Sequence, residues 1–344
     1  MRDGEVLAAK ELVWSMWGPS VVDCTPLPSL AEQPIDPDLD LHGPAPIGRC
    51  RSRDEAEERF AGPLHRAMPV ARRDLQLFLG GRWRTEAGEP EIWVAATGHL
   101  VGELVEPFCG IRPVVADGGG PVRLRFGDFH RVAGGRIVEQ RILLDLPGLA
   151  AQTGVHLLPP FPVSGEPPPP PALGNGVVRG PSDPVETAAT LQLVEDMLAG
   201  CNRLEGSDLA SMGMAAHWHD DMVWHGPWGV GSCRGFDEFQ DHAQGPSVQS
   251  FPDRRGGHHR IRFADGLTAA FTGWPSLRGT FDGEPFRGIE PTGGEIGQNI
   301  MDFYVRRDDK LHENWVLIDL VDFAAQCGVD LLAPLDQPQE NQIR

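Results

Sequence analysis

The chain has 344 residues and a formal charge of -19, with 49 acidic side chains against 30 basic ones. That length is comfortable for two domains, each able to bury its own core, and the negative field repels phosphate backbones and anionic headgroups. Neither nucleic acid nor a membrane surface is an expected partner. No apolar run approaches the roughly 20 residues that span a bilayer, and the opening MRDGEVLAAKELVW lacks the basic flank and apolar core of a leader, so the cytoplasm is the expected location.

In chain order, a helix is predicted around Glu5 to Trp17, followed by a proline-rich stretch near Thr25 to Pro37. The 42 glycines and 32 prolines suit short strands joined by frequent turns. Cysteines stand at 24, 50, 109, 201, 233 and 327 without a CxxC pair, which predicts reduced, mostly buried thiols. The first half closes on VEQRILLDLPGLAAQTGVHLLPP, residues 138–160, and the chain returns to this pattern at 312–334 as HENWVLIDLVDFAAQCGVDLLAP. Aligned at a spacing of 174, residues 128–160 and 302–334 are identical at 14 of 33 positions, among them Glu139 with Glu313 and Asp145 with Asp319. Upstream, HGPAPIGRCRSRDE (42–55) faces HGPWGVGSCRGFDE (225–238), and EPFCGIRP (106–113) faces EPFRGIEP (284–291). A period this long is a duplicated domain rather than a solenoid. The boundaries it predicts are a first domain at 1–160, a proline- and glycine-rich linker at 161–182, a second domain at 183–335 and a polar tail at 336–344.

The linker's five consecutive prolines favour an extended polyproline II spacer. The second domain then opens on a predicted helix to about Arg203, with Asp183 as N-cap, Pro184 in the first helical position and Glu186 completing a capping box. Its expected buried stripe is Val185, Leu191, Val194 and Leu198. Near the end, Asp308-Asp309 marks a two-residue hairpin turn. Uniform pairing outward from Arg307 and Lys310 puts Asp302 opposite Trp315, Tyr304 opposite Glu313 and Gln298 opposite Asp319. The same geometry puts Asp128 opposite Arg141 in the first copy, an expected ion pair. Both hairpin faces look at least partly buried, so the expected architecture is α+β: curved antiparallel sheets around N-terminal helices, packed as an intramolecular pseudo-dimer.

The stretches DDMVWHGPWG (220–229), GIEPTG (288–293) and MDFYVRRDDKLHENWVLIDLVDFAAQCG (301–328) resemble the SnoaL-like polyketide cyclases of the nuclear transport factor 2-like, cystatin-like cone fold. The likeness covers most of 183–335 and, more weakly, 36–160. It departs where family members often carry Asp after the hairpin tryptophan, because here Trp315 is followed by Val316. What the resemblance implies is a deep apolar pocket, dimerisation through sheet faces, and ring closure by a pocket carboxylate without metal or organic cofactor.

Acid/base chemistry beside a carbonyl requires a carboxylate whose pKa is raised by desolvation, and a donor for the enolate. Asp302 is the leading base, with His225 and Tyr304 as donors. Asp319 is a second candidate, although a strand-to-helix junction equally suits an N-cap; Glu313, near the turn, suits an exposed or arginine-paired role. The pocket wall is assigned to Trp224, Trp228, Trp315, Trp274 and Phe286. The substrate class is a hydrophobic, carbonyl-bearing small molecule, for a cyclase, isomerase or lyase. Two alternatives are a non-catalytic binding protein of the same fold, and a metal-assisted hydrolase using His217, His219 and Asp221 with help from His258 and His259, on a stretch expected to be a loop entering a strand. In the first copy His130 replaces Tyr304, and Leu41 and Ala45 replace Trp224 and Trp228, so that copy is expected to be structural or to bind something different.

Overall fold

The computed structural model describes residues 3–84, 88–113, 121–159, 168–256 and 261–336. Residues 161–167 of the predicted linker, His258, His259 and the tail from 337 lie outside the described residues. In the first domain helix α1 (Asp3–Val22) precedes strands β1 (Ile35–His42), β2 (Val70–Trp83), β3 (Glu91–Gly102), β4 (Val122–Ala133) and β5 (Arg136–Leu144), and helix α2 (Leu146–Gln152) closes it. The second domain repeats this plan with α3 (Pro184–Cys201), β6 (Trp218–His225), β7 (Ile261–Asp265), β8 (Thr268–Thr280), β9 (Glu295–Arg307), β10 (Lys310–Ile318) and α4 (Leu320–Gln326). Neighbouring strands run β2-β3-β4-β5-β1 in one sheet and β8-β9-β10-β6 in the other, with short edge strands beyond. Pairing is antiparallel except where β1 joins β5 and β6 joins β10. Each half is an α+β cone.

Helix α3 begins as its sequence directs, with Asp183 accepting from the Val185 amide at 2.7 Å and Pro184 in the first turn. Glu186, however, reaches Arg306 instead of completing a capping box. The buried stripe is Thr190, Val194, Met197 and Gly200, while Val185 is 73% exposed. Val194 is common to both stripes, and Leu191 and Leu198 are partly buried against the same core. The six cysteines are all unpaired thiols, and Cys24 is exposed.

Each sheet is buried on both faces, which is why its strands do not alternate cleanly between apolar and polar. The concave faces hold separate cores. The convex faces meet in a third core, where Leu79, Trp93 and Phe129 oppose Phe263, Phe303 and Trp315. Gly127 on β4 marks a close approach: a Cβ there would stand 3.1 Å from both the Leu317 side chain and the Met301 sulfur. A buried ion pair also crosses the boundary, Lys10 Nζ on α1 to Asp265 Oδ2 on β7 at 2.8 Å. The linker is more than a spacer: the Trp315 indole donates to the Pro169 carbonyl, the Ala172 amide donates to Glu313, and Phe78 pairs with Gly176 and Val178.

Candidate functional site

The turn Asp308-Asp309 is where the sequence puts it, with Arg307 opposite Lys310, but the ladder slips after Leu311. His312 is bulged, so Val305 pairs with Glu313, Tyr304 with Asn314, Phe303 with Trp315 and Asp302 with Val316. A one-residue bulge turns every later side chain of that strand to the opposite face. The face carrying Asp302 and Tyr304 therefore gains Asn314 and Val316, and Trp315 goes with Phe303 into the core between domains. The first copy bulges at the equivalent residue, Val138, so Asp128 stands opposite Ile142 and not Arg141. The expected Asp128–Arg141 ion pair does not form; Arg141 pairs with Glu139 at 2.8 Å.

Inside the second cone the Tyr304 hydroxyl donates to Asp302 Oδ1 at 3.2 Å, and the Asn314 amide donates to the same oxygen at 3.3 Å. Both bonds fall on Oδ1, which leaves Oδ2 for a ligand. Burial pushes the Asp302 carboxyl up to about 7, and the two donors pull it the other way. Tyr304, buried and beside that carboxylate, is held well above its usual range and keeps its proton. The surrounding cavity, about 170 Å³, is walled by Trp218, Trp224, Phe239 and Phe271 and opens past Arg255 and Gly256. Arg254 also lines it, donating to Ser247 Oγ at 2.9 Å; among the described residues no carboxylate lies within ion-pair distance of this guanidinium. Burial lowers its pKa.

Of the residues expected at the site, the structure brings together Asp302, Tyr304 and Trp224. His225 does not join them. It lies beside Trp315 at the domain boundary, ring centroids 5.1 Å apart, and its carbonyl accepts from Arg125. Burial and Arg125 hold its pKa down to about 3, so the ring is neutral. Trp228 stacks on His156, Trp274 packs against His42, and Phe286 belongs to a ring cluster with Phe251 and Phe323. None of these three lines the cavity. Glu313 is neither exposed nor arginine-paired: it is 3% exposed and receives the linker amide of Ala172. Sequence reasoning missed Asn314, Trp218, Arg254 and Gln244. The signal for Asn314 was its amide counterpart Gln140 in the other copy, which pattern alone assigned to the wrong face.

Asp319 is a cap in two directions. Its Oδ1 accepts from the Asp322 amide that opens α4, and its Oδ2 accepts from the Ala45 amide of the first domain, at 3.1 and 3.0 Å. Asp145 does the same in mirror fashion, accepting from Gly148 at 2.9 Å and from Trp228 of the second domain at 2.8 Å. This is the reciprocal contact of an isologous interface within one chain. The loops follow suit, Leu335 packing at Gly110 and Pro159 at Gly288. Burial pushes Asp319 up to about 7, with the two amides pulling it down.

His217 ends a short 3-10 turn and β6 begins at Trp218, so Trp218 to Asp221 are strand. There His219 Nε2 bonds the Arg307 carbonyl at 2.8 Å, and Asp221 forms an ion pair with the Arg307 guanidinium at 2.6 Å. These donors are spent on one arginine, and among the described residues no group of three or more His, Cys, Asp or Glu is placed to hold a metal ion. Among them, too, no helix is long and apolar enough to cross a membrane.

The fold and the site together are those of two facing α+β cones, one with a buried carboxylate in an apolar cavity. Residues 194–314, within the second domain, match the model of the SnoaL-like domain. Among solved structures, AclR from Streptomyces galilaeus is similar at 19% identity, covering 46% of this chain and 87% of its own, with a TM-score of 0.34. IdmH from Streptomyces antibioticus is similar at 25% identity over 39% of this chain and 98% of its own, TM-score 0.32. TsrD from Streptomyces laurentii stands at 21% over 41% and 96%, TM-score 0.33. No curated protein matches the chain.

Proposed function

We propose that the second domain is an acid/base enzyme acting on a small carbonyl-bearing molecule without a resident cofactor, with Asp302 as its base. The observation that supports this most is a buried carboxylate with one uncommitted oxygen in an apolar cavity, held near neutrality by desolvation. A pKa near the working pH maximises the product of available base and driving force for proton transfer. In the proposed step Asp302 Oδ2 takes a proton from the carbon beside the ligand carbonyl. The C–H electron pair moves into an enolate, whose oxygen is met by the Arg254 guanidinium, in place of the His225 first expected there. Tyr304 stays protonated and steadies the carboxylate.

The cavity volume, about 170 Å³, is close to the roughly 150 Å³ apolar cavity known to admit benzene. A single ring fills it, and a fused-ring substrate would extend through the mouth at Arg255. The SnoaL-like match supports cyclase, isomerase or lyase chemistry as the reaction class. The test is solvent hydrogen–deuterium exchange at the acidic carbon of single-ring 1,3-dicarbonyl compounds, followed by NMR. Wild type accelerates exchange, and Asp302→Asn loses about 10²- to 10⁴-fold of that acceleration, the usual worth of a positioned general base. Undiminished exchange by a folded Asp302→Asn protein would overturn the assignment of the base.

A further inference from the structure

The first domain also has a cavity, of about 70 Å³, at the place equivalent to the second domain's site. Its polar wall is different. Asp128 takes the position of Asp302, and Gln140 Nε2 lies 3.0 and 2.9 Å from its two oxygens, where Asn314 reaches only one oxygen of Asp302. His130 takes the position of Tyr304. Its ring is 3% exposed, and neither Nδ1 nor Nε2 has a hydrogen-bond partner, although Nε2 lies 3.2 Å from Asp128 Oδ2. A buried imidazole with both nitrogens unpaired is costly, and this one faces a cavity.

A further polar group, Arg73, enters from β2. One of its nitrogens donates to Ser20 Oγ at 2.6 Å, and the guanidinium lies 5.0 Å from the centroid of the Trp17 ring. Among the described residues no carboxylate is within ion-pair distance of it. The rest of the wall is mainly apolar, with Leu27, Phe60, Leu100 and Phe126, and also carries Gln33 and His65. A cation without a contact anion, an imidazole without a formed hydrogen bond and a fixed carboxylate thus surround a space less than half that of the second cavity.

We propose that this cavity is a second binding site, for a short carboxylate bearing a hydroxyl or oxo group on the neighbouring carbon. The ligand carboxylate meets Arg73, in the planar geometry that guanidinium favours. The neighbouring oxygen meets His130, and a hydroxyl there also donates to Asp128, which separates the ligand's own charge from that carboxylate. The volume admits only a few heavy atoms. The site stands independently of the chemistry proposed for the second domain.

Calorimetric titration of the full chain with lactate, pyruvate and acetate tests this. Saturable binding of lactate or pyruvate is expected, weakened at least about tenfold by Arg73→Met, equivalent to ~1.4 kcal/mol, with acetate the weakest of the three. The side-chain ¹⁵N resonances of His130, assigned with His130→Gln, should shift on addition of the tighter ligand to wild type. That measurement decides the matter even if Arg73→Met does not fold. Absence of saturable binding to folded wild type up to roughly tens of millimolar, full affinity in Arg73→Met, or binding that leaves His130 unmoved would each overturn the proposal.

Discussion

The two cavities are built on the same strand pair with the same bulge and the same aspartate, yet they differ in how that aspartate is held. Asp302 receives both of its bonds on one oxygen, from Tyr304 and Asn314, in an apolar setting. Asp128 has Gln140 across both oxygens and His130 beside it, and Arg73 is close enough to feel its charge. The lesson is that duplication copies the scaffold, while the acid's behaviour is set two residues along the strand and across the ladder. At Asp302, among aromatic rings, one hydroxyl and one amide, desolvation outweighs the two donors.

Variants at the interface and in the two cavities should differ in size of effect. The largest stability effect is expected at the shared interface, where neither domain should tolerate loss of the convex face. Trp315→Ala removes a fully buried ring and should cost about 3–5 kcal/mol in denaturant unfolding. A similar loss, about 3–5 kcal/mol, is expected for Asp265→Ala, which leaves Lys10 buried without its partner.

Next comes the acid itself. Asp302 has a folded pKa of about 7 against a usual 3.8, so the native state holds the extra proton between these values. Its contribution favours folding below about pH 4 and is lost progressively up to about pH 7. Asp302→Asn should therefore be more stable than wild type at pH 8 by at most about 4 kcal/mol, and by much less at pH 4. Equal differences at the two pH values would show that desolvation does not govern this carboxylate.

Smaller effects are expected at the reciprocal caps. Asp145→Ala and Asp319→Ala should each cost about 1–2 kcal/mol through the helix start, with a further loss from the opposite domain's amide. The smallest is Tyr304→Phe. It removes a donor that holds Asp302 down, so the apparent pKa of the exchange reaction should move above that of wild type. A downward move would mean that the hydroxyl acts on the ligand and not on the acid.

Much of this was legible in the residues. The duplication, the hairpin turn at Asp308-Asp309, the start of α3 and the placing of Asp302 and Tyr304 on one face each follow from local chemistry or a short period. Asn314 and Trp315 were not legible, because a single bulge at His312 exchanges their faces and leaves no trace in an alternation of mostly apolar residues. His225 was misleading, and the cap at Asp319 only half legible, for another reason. Their neighbours within the chain suit a site, but the groups they meet, Arg125 and Ala45, come from the other domain.

The two cones and the acids they share follow from the residues alone, since repeats, caps and turns are properties of short segments. Only the tertiary structure decided which residues see a cavity and which see the partner domain. Both faces of each sheet are buried, so hydrophobic pattern cannot tell inside from between. The choice rests on a one-residue slip in register and on contacts between segments far apart in the chain.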